Sequence, residues 1–304
     1  MAHALLEHLV QQPHSEHTQR RAAEMLALGQ PRARVRGWLE ASLPDPRAIR
    51  MIGYLAHTLV IQGWRADDTE LSLRLQQALE AARHPLAALP LSLTDLELNL
   101  PLPQYGYVLG KFGGESRPGV TTPVVTPDMA LPSRDEAWPA FQRADDEVVV
   151  EALGAPFHLW QQESNASLET RAFRLDAPLS RLDASLVGRL PVASVASPAT
   201  TRVATSSGRE VFVELFAAGL SGGAYGGAVY AATARWLAWR AMGGLTGVSI
   251  NEGREAVLAA VNDSRFYWYY DPESRFYEEV FDFAAACLRP GGRTLVLLAA
   301  SDTD

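Results

Sequence analysis

The sequence predicts an α/β (α+β) protein, with an all-helical N-terminal region followed by a mixed β-sheet domain and packed helices. Three observations carry this. Apolar residues recur at helical spacing through the first 86 residues. Eight prolines then punctuate residues 87–150. Beyond residue 150, short β-branched and aromatic stretches alternate with helical ones, ending in the apolar run Thr294–Ala300. The expected division is 1–86 helical, 87–150 a Pro-rich connection with short strands, and 151–304 a mixed α/β domain.

In the first region Ala2–Gln12 places Leu5, Leu6, Leu9 and Val10 on one face. Ser15–Leu28 follows and stops near Gly29, and Pro31 opens a helix to about Ser42. Pro46 begins another to Ile61, and Asp67 or Asp68 caps a last one through about Ala82. Short connections between such helices predict antiparallel neighbours. No fixed-period repeat is present. In the connection, the alternation of Leu96, Leu98 and Leu100 predicts a strand, with a second over Tyr105–Phe112. Gly113–Asp135 reads as a long excursion.

In the last region Phe157–Gln161, Leu168–Leu175 and Val211–Leu215 read as strands. Ser206-Ser207-Gly208 reads as a hairpin turn between Thr200–Ala204 and Glu210–Leu215. A long helix follows the glycines after Leu215. Glu252–Val261 is a short helix capped by Ser249 or Asn251, and Arg265–Tyr270 is an aromatic strand. Tyr277–Leu288 reads as a helix stopped by Pro290-Gly291-Gly292. Thr294–Ala300 has the continuous apolar character of a central strand.

Composition limits the function classes. Nearly half of the 304 residues are hydrophobic, and the single cysteine, Cys287, leaves no intrachain disulfide. That fits a reducing, cytoplasmic setting. No basic stretch followed by an apolar run opens the chain, so no signal peptide is expected. The net charge of −8 argues against a nucleic-acid partner. Residues 1–90 are near neutral, with 10 arginines and 9 acidic residues, so the excess lies beyond them. Leu215–Ala234 carries no charge over 20 residues, but five of these are glycines, which speaks for a buried helix rather than a membrane span. Lys111 is the only lysine against 26 arginines, a bias associated with GC-rich bacterial genomes.

Several groups could carry chemistry, and each has a structural alternative. Gly219-Leu220-Ser221-Gly222-Gly223 matches G-x-S-x-G, the pattern of a nucleophile elbow between strand and helix. No histidine follows it, since the last is His158. A Ser221 nucleophile would therefore need an aspartate: Asp263, Asp271 or Asp302. The alternative is a turn before a closely packed helix. The same loop, with Gly222, Gly223, Tyr225 and Gly226, could present free N–H groups to a phosphate or carboxylate. On the following helix, Arg235 with Trp239 and Trp236 with Arg240 lie four apart. Arg240 could face an acidic ligand or sit in a salt bridge.

Glu163, Asn165, Glu169 and Arg171 flank the entry to a strand. Glu169 and Arg171 share a face, as an ion pair or as part of a polar site. Asp302 and Asp304 close the chain beyond the apolar strand, where ligand sites in α/β sheets lie. They could hold a divalent cation or be a solvated tail. His14 and His17 lack a third ligand, so no metal site is expected, and no cofactor.

Glu163-Ser164-Asn165 with Glu169 and Arg171, the Gly222–Gly226 run with Trp239-Arg240, and the closing Leu298–Asp304 resemble a family of uncharacterised bacterial proteins, mainly actinobacterial. The resemblance spans roughly residues 157–304. It implies that these motifs belong to one domain, and it implies no activity. The functional expectation is a binding or regulatory protein with an unknown small ligand or protein partner and no membrane. The alternatives are a serine hydrolase built on Ser221 and a nucleotide or phosphate binder at Gly219–Gly226.

Overall fold

The computed structural model describes residues 15–64, 69–98, 100, 138–221, 223, 230–276 and 281–302. Its contacts divide the chain into two compact units. One comprises residues 1–117 with 229–236; the other comprises 118–228 with 237–304.

The first unit is helical. Its helices are α1 (Glu16–Gly29), α2 (Arg32–Ser42), α3 (Ile49–Ile61) and α4 (Thr69–Ala81). The Ser15 hydroxyl accepts the Thr18 N–H and caps α1. Helix α3 is apolar on nearly every side and is buried at every residue but Arg50, as such a helix must be. Helix α4 buries only the stripe Leu71, Leu75 and Leu79. These helices share one core that includes Ala23, Leu39, Leu55, Leu59 and Leu75.

The second unit is a six-stranded sheet with helices. In chain order it holds β1 (Phe141–Arg143), α5 (Glu147–Gly154), α6 (His158–Glu163), β2 (Ser167–Leu175), α7 (Ala184–Val187), β3 (Arg202–Ser206), α8 (Gly208–Ser221), α9 (Ala231–Thr246), α10 (Arg254–Asp263), β4 (Arg265–Tyr270), β5 (Phe281–Leu288) and β6 (Thr294–Asp302). Residues of α9 up to Trp236 cluster with the helical unit. The strand order is β1-β2-β6-β5-β4-β3. Mixed strand directions were expected; all five described pairs are antiparallel.

Four segments differ in type from the sequence reading. The segment expected as a helix ending at Leu288 is strand β5, and Pro290-Gly291-Gly292 is the turn of a hairpin to β6. Gly291 and Gly292 have φ of +81° and +67°, which side chains disfavour. The alanines of this segment face bulky partners across the sheet, Ala285 opposite Trp268 and Ala286 opposite Tyr267. Small residues there make room for aromatic ones, so packing overrides propensity.

Val211–Leu215, expected as a strand, lies in helix α8. Ser206-Ser207-Gly208 is the helix entry rather than a hairpin turn. The Ser207 hydroxyl accepts the Glu210 N–H (3.1 Å), and Glu210 Oε2 accepts the Ser207 N–H (2.8 Å). That is a capping box, readable as Ser-x-x-Glu. Phe157–Gln161, expected as a strand, straddles a 3-10 turn and α6.

Leu96 and Leu98 do not form a strand either. Asp95–Glu97 is a 3-10 turn with its own capping box from Thr94 and Glu97. Tyr105–Phe112, Gly113–Asp135 and Ala2–Gln12 lie outside the described residues. Among the described residues no helix is long and apolar enough to cross a membrane.

Candidate functional site

The glycine-rich stretch is not the start of one long helix. Helix α8 ends at Ser221, and α9 begins at Ala231. Gly222, Tyr225 and Gly226 lie outside the described residues. Ser221 therefore sits at the C-terminal end of a helix, where carbonyls lack intrahelical partners. Its hydroxyl donates to Ala218 O (3.1 Å), and the Trp160 indole N–H donates to the same carbonyl (3.1 Å). The Gly223 N–H in turn donates to Ser221 Oγ (3.4 Å). Gly223 has φ +85°. A glycine with positive φ just past a helix end is a common terminator. The strand–turn–helix context of a nucleophile elbow is absent, and the hydroxyl of Ser221 is buried.

Gly223 is also a place of close approach. A Cβ there would overlap Asp302 Oδ2 and lie 3.2 Å from Trp160 Cα. Asp302, fully buried near the end of β6, accepts the Ser164 hydroxyl at 2.7 Å. Ser221, Gly223, Ser164 and Asp302 thus come together, as neighbours of the Trp160 ring. Glu163 and Asn165 flank Ser164 but are exposed. Thr303 and Asp304 lie outside the described residues.

Glu169 and Asp271 do not join this cluster. Glu169 stands opposite Ala299 on β6, while Asp302 is three residues further along that strand. Successive side chains alternate between faces, so Glu169 and Asp302 occupy opposite faces of the sheet. Glu169 accepts the N–H groups of Ala193 (3.0 Å) and Ser194 (2.8 Å). Asp271 accepts those of Ala196 (2.8 Å) and Ser197 (3.0 Å), and the Thr200 hydroxyl (2.8 Å). Burial by itself raises the Asp271 pKa. The N–H of Ser197, the Thr200 hydroxyl and the N–H groups of Glu273 and Ala196 outweigh it, so the carboxyl stays below its usual range.

Both carboxylates therefore pin the irregular segment 193–201. The Tyr269 phenol, buried beside it, meets Ser194 Oγ at 2.9 Å. Arg171 lies 3.6 Å from Glu169 and donates to Thr170 O. Arg240 reaches Glu151 at 3.0 Å. Among the described residues no group of three or more His, Cys, Asp or Glu could hold a metal ion.

Of the loop expected to bind an anion, Gly222 and residues 224–226 lie outside the described residues. The N–H of Ala231, at the start of α9, is taken by the chain's own Glu24 carboxylate (2.9 Å). Burial raises the Glu24 pKa to about 7.

The helical unit also contains a cleft that the sequence reading did not anticipate. A cleft of about 780 Å³ is lined by Gly63, Trp64, Ser72, Leu73, Gln76, Pro90, Leu91, Ser92, Leu93 and Leu98. Small-molecule pockets are roughly 300–1,000 Å³ and mostly apolar. Leu73 and Leu98 are 58% and 44% exposed, which is unusual for large aliphatic residues on one cleft. One signal in the sequence marks it. Leu73 is apolar but lies out of phase with the buried stripe Leu71, Leu75 and Leu79 of α4.

The wall at residues 90–98 has a buried polar support. The fully buried Arg235 guanidinium donates to Pro90 O (3.2 Å), Ser92 O (2.9 Å), Glu97 Oε1 (2.5 Å) and His57 Nδ1 (2.6 Å). An acceptor at Nδ1 requires neutral His57, and burial followed by the Arg235 charge lowers its pKa well below the ordinary value.

Neither the curated proteins nor the solved structures include a match to this chain. The resemblance carried by the C-terminal motifs extends over the whole chain: residues 1–304 match the model described as a family of unknown function (DUF6183), and the chain belongs to that family.

Proposed function

We propose that the protein is a non-catalytic binding protein that holds a small apolar molecule in the cleft of its helical unit. The cleft of about 780 Å³ between α4 and the segment 90–98 carries this reading. Its lining includes Trp64 and four leucines, with Gln76 Oε1 as a polar point to orient a ligand. The geometry at Ser221 adds support by weighing against hydrolysis. A nucleophile needs a base within hydrogen-bond reach, and this hydroxyl donates instead to a backbone carbonyl. Ser221 ends α8 at a helix C-terminus, whose carbonyls repel anions, which weighs against a phosphate site beside it.

A ligand of roughly 20 non-hydrogen atoms at about 0.3 kcal/mol each binds with a Kd in the tens of micromolar. The test is titration with an environment-sensitive apolar dye, followed by displacement with fatty acids and aromatic compounds. One saturable site is expected, lost in Leu73→Arg with the fold retained. No saturable binding, or equal binding by Leu73→Arg, overturns the reading.

A further inference from the structure

We infer that Arg235 is the positioning residue of the cleft, holding the 90–98 wall in its binding shape from a helix far along the chain. This rests on the binding reading above. Five of the residues lining the cleft, Pro90, Leu91, Ser92, Leu93 and Leu98, belong to that wall. The wall has no strand or α-helix of its own; its one regular piece is the turn Asp95–Glu97. Its carbonyls therefore lack ladder partners, and part-buried carbonyls without partners are costly.

Arg235 supplies those partners. One nitrogen, Nη2, donates to both Pro90 O and Ser92 O. Nε donates to Glu97, whose other oxygen accepts the Thr94 N–H at 2.9 Å. Nη1 anchors the same plane to His57 on α3. A single planar group thus ties both ends of the wall to the buried helix α3. Only guanidinium has donors spread widely enough for this; a lysine ammonium is a point charge with three donors. Pro90, Ser92 and Glu97 lie more than 130 positions from Arg235 in sequence, so the cleft forms only once these distant segments have met.

The experiment compares the full-length wild type with Arg235→Lys, which keeps a cation against Glu97 and loses the fork. The readouts are dye affinity and residue-resolved amide exchange. Expected are a loss of about tenfold or more in affinity, equivalent to 1.4 kcal/mol, and faster exchange confined to residues 89–98. Glu97→Gln, which keeps an acceptor for Nε, serves if Arg235→Lys does not fold, with the same expectation in weaker form. Unchanged affinity and exchange overturn the inference. So does faster exchange spread evenly over α1–α4, because that marks general stability rather than positioning. If the wild type binds no dye, the binding reading falls by itself. Exchange at 89–98 then still decides whether Arg235 orders the wall.

Discussion

The two units solve one problem with opposite charges. Each contains an irregular segment whose backbone groups have no helix or strand partners. In the sheet unit, the segment 193–201 offers N–H groups, and the buried carboxylates of Glu169 and Asp271 accept them. In the helical unit, the segment 90–92 offers carbonyls, and the buried Arg235 guanidinium donates to them. The sign of the buried charge follows from which backbone groups are orphaned. The two solutions differ in fragility. A carboxylate ringed by several N–H and hydroxyl donors is stabilised locally. A buried guanidinium also needs a counter-anion, here Glu97, and losing either partner strands a charge.

The largest expected effect tests that difference. Glu97→Ala leaves Arg235 buried and unpaired and is expected to cost about 3–5 kcal/mol in chemical unfolding. Asp271→Asn keeps one acceptor oxygen and is expected to cost about 2 kcal/mol. Equal losses, or a larger one for Asp271→Asn, break the distinction between the two supports.

The next effect is pH dependence within the helical unit. Burial lowers the His84 pKa to about 4, from an ordinary 6.5. Its stabilising contribution is complete above 6.5 and is lost as pH falls through 4. Burial raises the Glu24 pKa from 4.5 to about 7, so its contribution is complete below 4.5 and is lost as pH rises through 7. The two oppose each other between these limits. In Glu24→Gln the offset is gone, and the loss between pH 6.5 and pH 4, to which the depressed His57 also contributes, is expected to be about 3 kcal/mol larger than in the wild type. Unfolding series at several pH values show whether the slopes separate; parallel curves for variant and wild type reject the assignment.

The smallest effect concerns the helix end in the sheet unit. Ser221→Ala removes one donor to Ala218 O, while the Trp160 donor remains. A loss of about 1 kcal/mol is expected, with dye binding unchanged. Fluorophosphonate labelling that disappears in this variant revives the hydrolase reading.

Parts of this molecule were legible in its sequence for stated reasons. The helices α1 to α3 follow from apolar spacing and from Ser15 and Pro31 at their starts. Strands β2, β4 and β6 follow from β-branched and aromatic content. Helix α8 was announced by Ser207-x-x-Glu210, but the β-branched and aromatic content of Val211–Leu215 suggested a strand. Strand β5 was not legible. Its Ala284-Ala285-Ala286 run is helix-like by propensity and becomes a strand only because Trp268 and Tyr267 lie across from it.

The candidate sites divide in the same way. Gly223 as a point of close backbone approach follows from its lack of a side chain, but its neighbours Asp302 and Trp160 do not follow from the sequence. Glu169 and Asp302 look alike as carboxylates near the ends of adjoining strands; register puts them on opposite faces. The out-of-phase Leu73 hints at an apolar surface, without locating the wall that faces it.

By itself, the sequence determined the helical N-terminal region, the sheet-bearing remainder and most strands, because spacing and side-chain shape act over a few residues. Tertiary structure alone decided the antiparallel order, the separation of the carboxylates and the cleft, because each depends on groups tens to hundreds of positions apart. Arg235 shows why: it lies in a run of alanines and tryptophans, and its role exists only where Pro90, Ser92, Glu97 and His57 surround it.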